Sequence, residues 1–266
     1  MNSNIGFIGC GNMGSAIISG IQKAGICSSE NMIASDIQNQ SREALAAAHN
    51  IKVTSDNIEV AKSSDILFLA VKPNIIANVI TEIKDHVKPE VIIVSIAAGQ
   101  SLGTLEQLFN KDIKIIRVMP NTPALVGEGM AYISPNSFAN EADVESVCTI
   151  FASIGKAEVG PESYMDAVTG ISGSSPAYTY LYIEALADAA VAEGMPRSQA
   201  YTIAAQAVLG AAKMVLETGR HPGLLKDQVC SPGGTTIEAV CELEKQGFRN
   251  SVISAVRKCV EKSRKM

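Results

Sequence analysis

The chain has 266 residues, 47% of them hydrophobic and 18% charged, and its formal net charge is −5. This composition predicts a folded globular protein and excludes intrinsic disorder. The negative charge argues against nucleic acid or an anionic membrane surface as a partner. No segment carries the ~18 or more apolar residues of a membrane span. The six cysteines are scattered without a C-x-x-C pair and the three histidines lie far apart, which predicts free thiols, no metal site and a cytoplasmic location.

The N-terminus carries the first motif. An apolar run from Ile5 to Ile8 predicts a buried strand, Gly9-x-Gly11-x-x-Gly14 follows, and apolar residues then recur at helical spacing. In a strand–turn–helix context Gly9 permits a tight turn, Gly11 lets a pyrophosphate approach the backbone, and Gly14 lets the helix pack closely. The free N–H groups at the helix start would face the phosphates. The motif favours dinucleotide binding over a merely structural turn.

Further strands are predicted to alternate with helices, at 31–34, 51–53, 66–71, 91–96 and 113–118. This alternation predicts an α/β fold with a Rossmann-like, doubly wound parallel sheet, whose ligands lie beyond the carboxyl ends of the strands. Late strands at 130–133 and 156–159 flank a helix near 141–152. We place the domain boundary after Pro161, which gives a dinucleotide-binding domain over 1–161 and a helical domain over 162–266.

The end of the second predicted strand bears on the choice of cofactor. Asp36 could accept a hydrogen bond from an adenosine ribose 2′-OH, which favours NAD. Ser35 beside it could instead donate to the 2′-phosphate of NADP, and no arginine precedes Arg42 in this region. The residue types leave the two cofactors open.

The second half is predicted to be all helical, at 163–170, 175–194, 197–217, 234–246 and 249–262. These helices are rich in alanine and apolar on more than one face, which predicts a subunit interface, with a single compact bundle as the alternative. The segment 226–238 is interpreted as a substrate loop. Within it Thr235 and Glu238 have the spacing of a capping box, and a helix start with free N–H groups suits a small carboxylate.

Taken together, several motifs resemble the pyrroline-5-carboxylate reductase family over nearly the whole chain. The most specific are Gly173-Ser174-Ser175-Pro176-Ala177-Tyr178 and His221-Pro222-Gly223 through Ser231-Pro232-Gly233-Gly234-Thr235-Thr236. The others are the glycine motif, Ala70-Val71-Lys72-Pro73, Ser95-Ile96-Ala97-Ala98-Gly99 and Arg117-Val118-Met119-Pro120-Asn121-Thr122-Pro123.

The resemblance implies reduction of the C=N bond of 1-pyrroline-5-carboxylate to L-proline, usually with NADPH. It implies a cofactor site whose residues are Ile8, Gly9, Cys10, Gly11, Asn12, Met13, Gly14, Ser35, Asn57, Ala70, Val71, Lys72, Pro73, Ala97, Ala98, Gly99 and Asn121. It implies a substrate site whose residues are Glu162, Gln228, Gly233, Gly234, Thr235 and Thr236, with Thr236 catalytic through a hydrogen bond towards the ring nitrogen. Asp36 puts a strong preference for NADPH in question, so NAD(H) stays an alternative.

The resemblance also implies a homodimer in which the helical halves exchange between subunits to complete each active site, commonly assembled into a decamer. A β-hydroxyacid dehydrogenase is the nearest rival. Those enzymes place a catalytic lysine shortly after a glycine-rich helix start, whereas the next lysine after the 170–175 segment here is Lys213. A sensor that binds a dinucleotide without turnover is the rival of a different class, and the Gly233–Thr236 turn counts against it.

Overall fold

The computed structural model describes residues 3–265. An eight-stranded sheet forms the first half, in the order β3-β2-β1-β4-β5-β6-β7-β8. Neighbouring strands are parallel except for the antiparallel pair β6–β7. The strands are β1 (Ile5–Ile8), β2 (Met32–Ser35), β3 (Lys52–Thr54), β4 (Ile66–Leu69), β5 (Ile92–Ser95), β6 (Lys114–Met119), β7 (Gly129–Pro135) and β8 (Gly155–Val159). The predicted Rossmann-like sheet is confirmed.

Helices pack on both faces of this sheet. They are α1 (Asn12–Lys23), α2 (Asn39–His49), α3 (Asn57–Ser63), α4 (Ile76–Ile83), α5 (Leu102–Phe109) and α6 (Glu141–Ala152). Every residue of β1, β2, β4 and β5 is buried, as expected of parallel strands covered on both sides. One core layer is built around Phe7 and Phe68, whose rings stack with centroids 4.7 Å apart. The opposite layer includes Leu67, Leu69 and the apolar face of α4.

Strand β4 ends at Leu69, earlier than the predicted Val71. Pro73 then begins a short 3-10 turn, Pro73–Ile75, at a position where its missing N–H group costs nothing. This turn leads directly into α4, so that the segment Ala70 to Pro73 crosses the carboxyl edge of the sheet.

The chain divides into two compact units. One comprises the described residues up to Ser174 together with those from Cys259 onward, and the other is Ser175–Lys258. This division falls later in the chain than the predicted boundary after Pro161, and it returns the C-terminal residues to the first unit. The limits of the functional domains stay a prediction.

The second half is helical, as predicted, with two local corrections. Its helices are α7 (Met165–Val168), α8 (Ser175–Ala192), α9 (Arg197–Thr218), α10 (Pro222–Val229), α11 (Thr235–Lys245) and α12 (Phe248–Ser263). The helix predicted at 163–170 is a 3-10 turn (Glu162–Tyr164), the single turn α7 and a π-helical turn (Thr169–Gly173). Helix α10 was not predicted, so the supposed loop from 226 starts inside a helix. Pro222 begins it, and Nδ1 of His221 accepts a hydrogen bond from the Gly223 amide.

Large apolar side chains lie exposed on the second unit of a single chain. Among the described residues, α8 buries Ala187 and α9 buries Ala200 and Ala204, all of them alanines. Leu181 is 67% exposed and Leu216 is 64% exposed. This unit does not bury its own apolar faces, which favours the predicted subunit interface over a self-sufficient bundle. Over the described residues, no helix is both long and apolar enough to cross a membrane.

Candidate cofactor and substrate site

The turn between β1 and α1 has the geometry that its glycines predict. Gly9 has a φ of +108°, and a Cβ there would lie 2.5 Å from the carbonyl oxygen of Ala70. A Cβ on Gly14 would lie 2.9 Å from the carbonyl oxygen of Gly9. The Gly9 amide donates to the carbonyl oxygen of Ser35 across 2.7 Å. These contacts bring the ends of β1, β2 and β4 together and leave no room for side chains at Gly9 and Gly14.

Gly11 differs from these two glycines. A Cβ on Gly11 would meet no protein atom within 4 Å, and its backbone is extended with φ −74°. Gly11 is also the N-cap of α1, and no side chain caps this helix start. The helix start therefore has no side-chain cap and has open space beside Gly11, where an anion would be stabilised by the first-turn N–H groups and by the helix dipole. The turn fits the pyrophosphate of a dinucleotide.

Cys10 lies inside the same turn. Burial, assisted by the charge of Asp36, raises the pKa of the Cys10 thiol to about 12, while Arg42 opposes the shift. The thiol therefore stays protonated at neutral pH, and it donates a hydrogen bond to the Ser35 carbonyl oxygen, 3.5 Å from Sγ. Cys10 supports the turn as a neutral side chain and is not a nucleophile.

The carboxylate of Asp36 is held by the backbone. Its Oδ2 accepts from the Cys10 amide at 2.9 Å and its Oδ1 accepts from the Gln38 amide at 2.8 Å. Arg42 donates to the carbonyl oxygen of Asp36 at 2.7 Å and thus closes the same loop. Each carboxylate oxygen keeps a further lone pair, so a ribose hydroxyl could still donate to Asp36.

Ser35 is fully buried, and its hydroxyl has a partner inside the protein. It donates to Oδ1 of Asn57 across 2.7 Å. The Ser35 hydroxyl is thus engaged by Asn57 in this structure, while Ser35 and Asn57 both line the same cavity. The predicted contact of Ser35 with a 2′-phosphate stays a prediction.

These groups border an open cavity of about 310 Å³ beyond the carboxyl ends of β1 and β2. Its far wall is supplied by Asn78, Val79 and Glu82 of helix α4 and by Ile75, which ends the 3-10 turn just before that helix. Sequence reasoning missed these wall residues, although their helical spacing marks one face of a helix. The remaining lining residues are Ile8, Gly9, Ser35, Asp36, Ile37, Asn57 and Val71.

The other predicted cofactor residues lie along the same edge of the sheet. Ala70, Val71, Lys72 and Pro73 follow β4, and Ala97, Ala98 and Gly99 follow β5. Asn121 follows β6, where its Oδ1 accepts from the Met130 amide at 2.8 Å and its Nδ2 donates to Ser172 at 3.3 Å. The amide of Asn121 therefore already joins two segments of the first unit, and its pairing with a nicotinamide stays a prediction.

Glu162 belongs to a partly buried ion pair at this edge. Its Oε1 accepts from Nη1 of Arg117 at 2.8 Å and from the Leu102 amide at 2.7 Å. Arg117 is 7% exposed, and its Nε has no partner among the described atoms. The pair fixes the 3-10 turn Glu162–Tyr164 against β6 and the start of α5. Sequence reasoning quoted Arg117 as part of a motif and gave it no role.

The predicted substrate turn lies in the second unit and is described within that unit alone. Gln228 is in the last turn of α10 and not in a loop. Gly233 has a φ of +66°, Gly234 is the N-cap of α11, and Thr235 and Thr236 open the helix. The predicted capping box is wrong, because Thr235 is already the first helical residue and the N-cap has no side chain. The helix start is therefore uncapped by a side chain, as at α1.

Gly11→Ala should weaken dinucleotide binding about tenfold, because the new methyl group fills space that is open in the protein but needed by a pyrophosphate. The fold should persist, since the backbone at Gly11 suits alanine. Calorimetric titration with NADP⁺ and a melting curve measure the two effects. Gly103→Ala is the matched control, since its Cβ would meet only Ser101 Oγ, at 4.0 Å. Unchanged affinity in Gly11→Ala would contradict this assignment of the turn.

Comparisons with known proteins agree with this geometry. Residues 162–266 match the family model described as pyrroline-5-carboxylate reductase dimerisation, and residues 4–99 match that of NADP oxidoreductase, coenzyme F420-dependent. The pyrroline-5-carboxylate reductase of Escherichia coli (strain K12) is 51% identical over 100% of this chain and 99% of its own.

Two solved structures have the same fold over nearly their whole length. The Plasmodium falciparum pyrroline carboxylate reductase with NADP bound superposes with a TM-score of 0.88, at 37% identity over 99% of this chain and 97% of the other. A Coxiella burnetii pyrroline-5-carboxylate reductase superposes with a TM-score of 0.93, at 31% identity over 100% and 98% of the two chains. The chain belongs to the pyrroline-5-carboxylate reductase family.

Proposed function

We propose that this chain reduces the C=N bond of 1-pyrroline-5-carboxylate to L-proline with a hydride from NADP(H), the last step of proline biosynthesis. Family membership makes it an NAD(P)H-dependent oxidoreductase. The observation that carries the proposal is identity of 51% along the complete chain to a reductase of this name. The match includes both the glycine turn at α1 and the Gly233–Thr236 turn at α11.

The residues of the first unit fit the cofactor. The turn from Ile8 to Gly14 holds the pyrophosphate, since the start of α1 is uncapped and the position of Gly11 is open. Asn57, with Ser35 behind it, borders the adenosine end. Small residues at Ala97 to Gly99 leave space beside the sheet edge for the nicotinamide, and Asn121 lies at the end of β6. When bound, the nicotinamide supplies the hydride, so the protein needs no redox group of its own.

The start of α11 fits the substrate carboxylate. Its first N–H groups are not capped by a side chain, and the dipole of an 11-residue helix favours an anion there. The hydroxyl of Thr236 can accept or donate a hydrogen bond at the ring nitrogen. An imine that is already protonated in solution needs no strong protein acid. Gln228 and Glu162 complete the proposed substrate set, Glu162 as a carboxylate held by Arg117.

The exposed apolar faces of α8 and α9, together with the dimerisation family that residues 162–266 match, support an interface between two subunits. We propose a homodimer that assembles further into a decamer, works in the cytoplasm and has no nucleic-acid or membrane partner. A covered interface removes the exposed leucine and tyrosine side chains of the second unit from water, which stabilises the assembly by the hydrophobic effect.

Thr236→Val should lower turnover of 1-pyrroline-5-carboxylate and leave cofactor affinity intact. The loss of one hydrogen bond costs about 0.5–1.5 kcal/mol, which is a fall in kcat/KM of roughly twofold to twelvefold, and more if the ring nitrogen is charged. Steady-state kinetics and titration with NADP⁺ measure the two effects. Thr202→Val is the control, since that hydroxyl donates to the Ser198 carbonyl oxygen within α9. If kcat and KM for the imine do not change, Thr236 is not in the site.

Light scattering of the purified chain should give a mass that is a multiple of the dimer. The exposed apolar side chains of α8 and α9 provide the physical reason, because a free monomer would leave them in water. A stable monomer across a dilution series would refute the assembly, and a stable dimer would refute the decamer alone.

A further inference from the structure

Three polar side chains form a connected row along the wall of the cavity that lies beyond the carboxyl ends of β1 and β2. The buried hydroxyl of Ser35 donates to Oδ1 of Asn57 at 2.7 Å, and Nδ2 of Asn57 donates to Oε2 of Glu82 at 2.8 Å. Glu82 lies one turn beyond Asn78 on α4 and lines the same cavity. This row joins the end of β2 to the last turn of α4.

Glu82 determines which way the amide of Asn57 points. An ionised carboxylate only accepts hydrogen bonds, so the NH₂ group of Asn57 must face Glu82 and its oxygen must face the Ser35 hydroxyl. The opposite orientation would set the amide oxygen against the carboxylate. One of the two N–H donors that Asn57 could offer to a phosphate is therefore engaged by Glu82.

The charges around the cavity also disfavour a bound 2′-phosphate. Its described lining residues include two carboxylates, Asp36 and Glu82, and neither a lysine nor an arginine. Arg42, the cation of the neighbouring loop, is engaged by the carbonyl oxygens of Asp36 and Ile37 and by Oδ1 of Asn39. A 2′-phosphate would enter next to two negative charges, whereas a ribose 2′-OH could donate to either carboxylate.

We propose that Glu82 is a specificity-determining residue that weakens the binding of an adenosine 2′-phosphate. Its carboxylate repels the phosphate and competes with it for the amide of Asn57. As a consequence, any preference for NADPH over NADH is smaller than it would be without Glu82. The residue types at Ser35 and Asp36 left this preference open. This inference rests on the proposed use of a nicotinamide dinucleotide.

The test is calorimetric titration of the full-length protein with NADP⁺ and with NAD⁺. Glu82→Gln keeps an acceptor for Asn57 and removes the charge, so it should raise affinity for NADP⁺ about fivefold and change affinity for NAD⁺ less than about twofold. Glu82→Ala also frees the Asn57 amide and should raise the affinity for NADP⁺ relative to NAD⁺ further. Asp85→Asn, the same charge change at an exposed residue outside the cavity, should leave both affinities within about twofold.

Added salt should reduce the difference in NADP⁺ affinity between wild type and Glu82→Gln, because salt screens the repulsion between the phosphate and a carboxylate near the surface. A ratio of the two affinities that stays unchanged in both Glu82 variants would overturn the proposal. So would an equal gain for NADP⁺ and NAD⁺. Glu82 is exposed, and melting curves should show that both variants fold.

Measurements of cofactor binding test the role of Glu82 independently of the proposed reaction. Wild type that binds both dinucleotides but does not reduce 1-pyrroline-5-carboxylate would remove the proposed reaction and leave the role of Glu82 to be decided by the affinity ratio. Wild type that binds neither dinucleotide would overturn both.

Discussion

The close approach of Gly9 to Ala70 is the constraint on which the rest of the first unit depends. At this point the backbone of the β1–α1 turn takes a left-handed conformation against the carbonyl group that follows β4, and its amide bonds to the end of β2. Three strand ends are thereby fixed around one turn. The start of α1 is left without a side-chain cap and beside open space, so the same constraint that packs the turn also shapes the place where we propose that the pyrophosphate binds.

Much of this fold could be predicted because its strands are continuous apolar runs between glycine-rich or proline-containing turns. Leu67 to Leu69 must be buried on both faces, and a parallel sheet is the structure that does so. The antiparallel pairing of β6 with β7 was not predicted, since strand direction is set by tertiary packing and not by residue type. The extent of α10 was also missed, because Pro222 begins a helix where the sequence was interpreted as irregular.

The candidate site could be predicted where a residue type has a steric role. It was harder to predict where a polar side chain has several possible hydrogen-bond partners. The tight turn at Gly9 and the close packing at Gly14 could be predicted from the glycine spacing alone. The burial of Ser35 and its bond to Asn57 depend on how α3 packs beside β2, and Glu82 comes from a helix further along the chain. Pairwise contacts of this kind leave no periodic signal. The wrong prediction of a capping box at Thr235 has a similar origin. Helix α11 begins one residue earlier than that prediction requires, so Gly234 and not Thr235 is the N-cap.

The central claim is that the glycine turn and the Gly233–Thr236 turn serve one reaction, and family membership gives that claim its substrate. The most direct measurement is oxidation of NADPH and of NADH by the wild-type protein with 1-pyrroline-5-carboxylate, followed by detection of proline. We expect proline formation with both cofactors, with NADPH used at least as well as NADH. Binding of the cofactors without proline formation would contradict it and would leave a dinucleotide sensor as the better description.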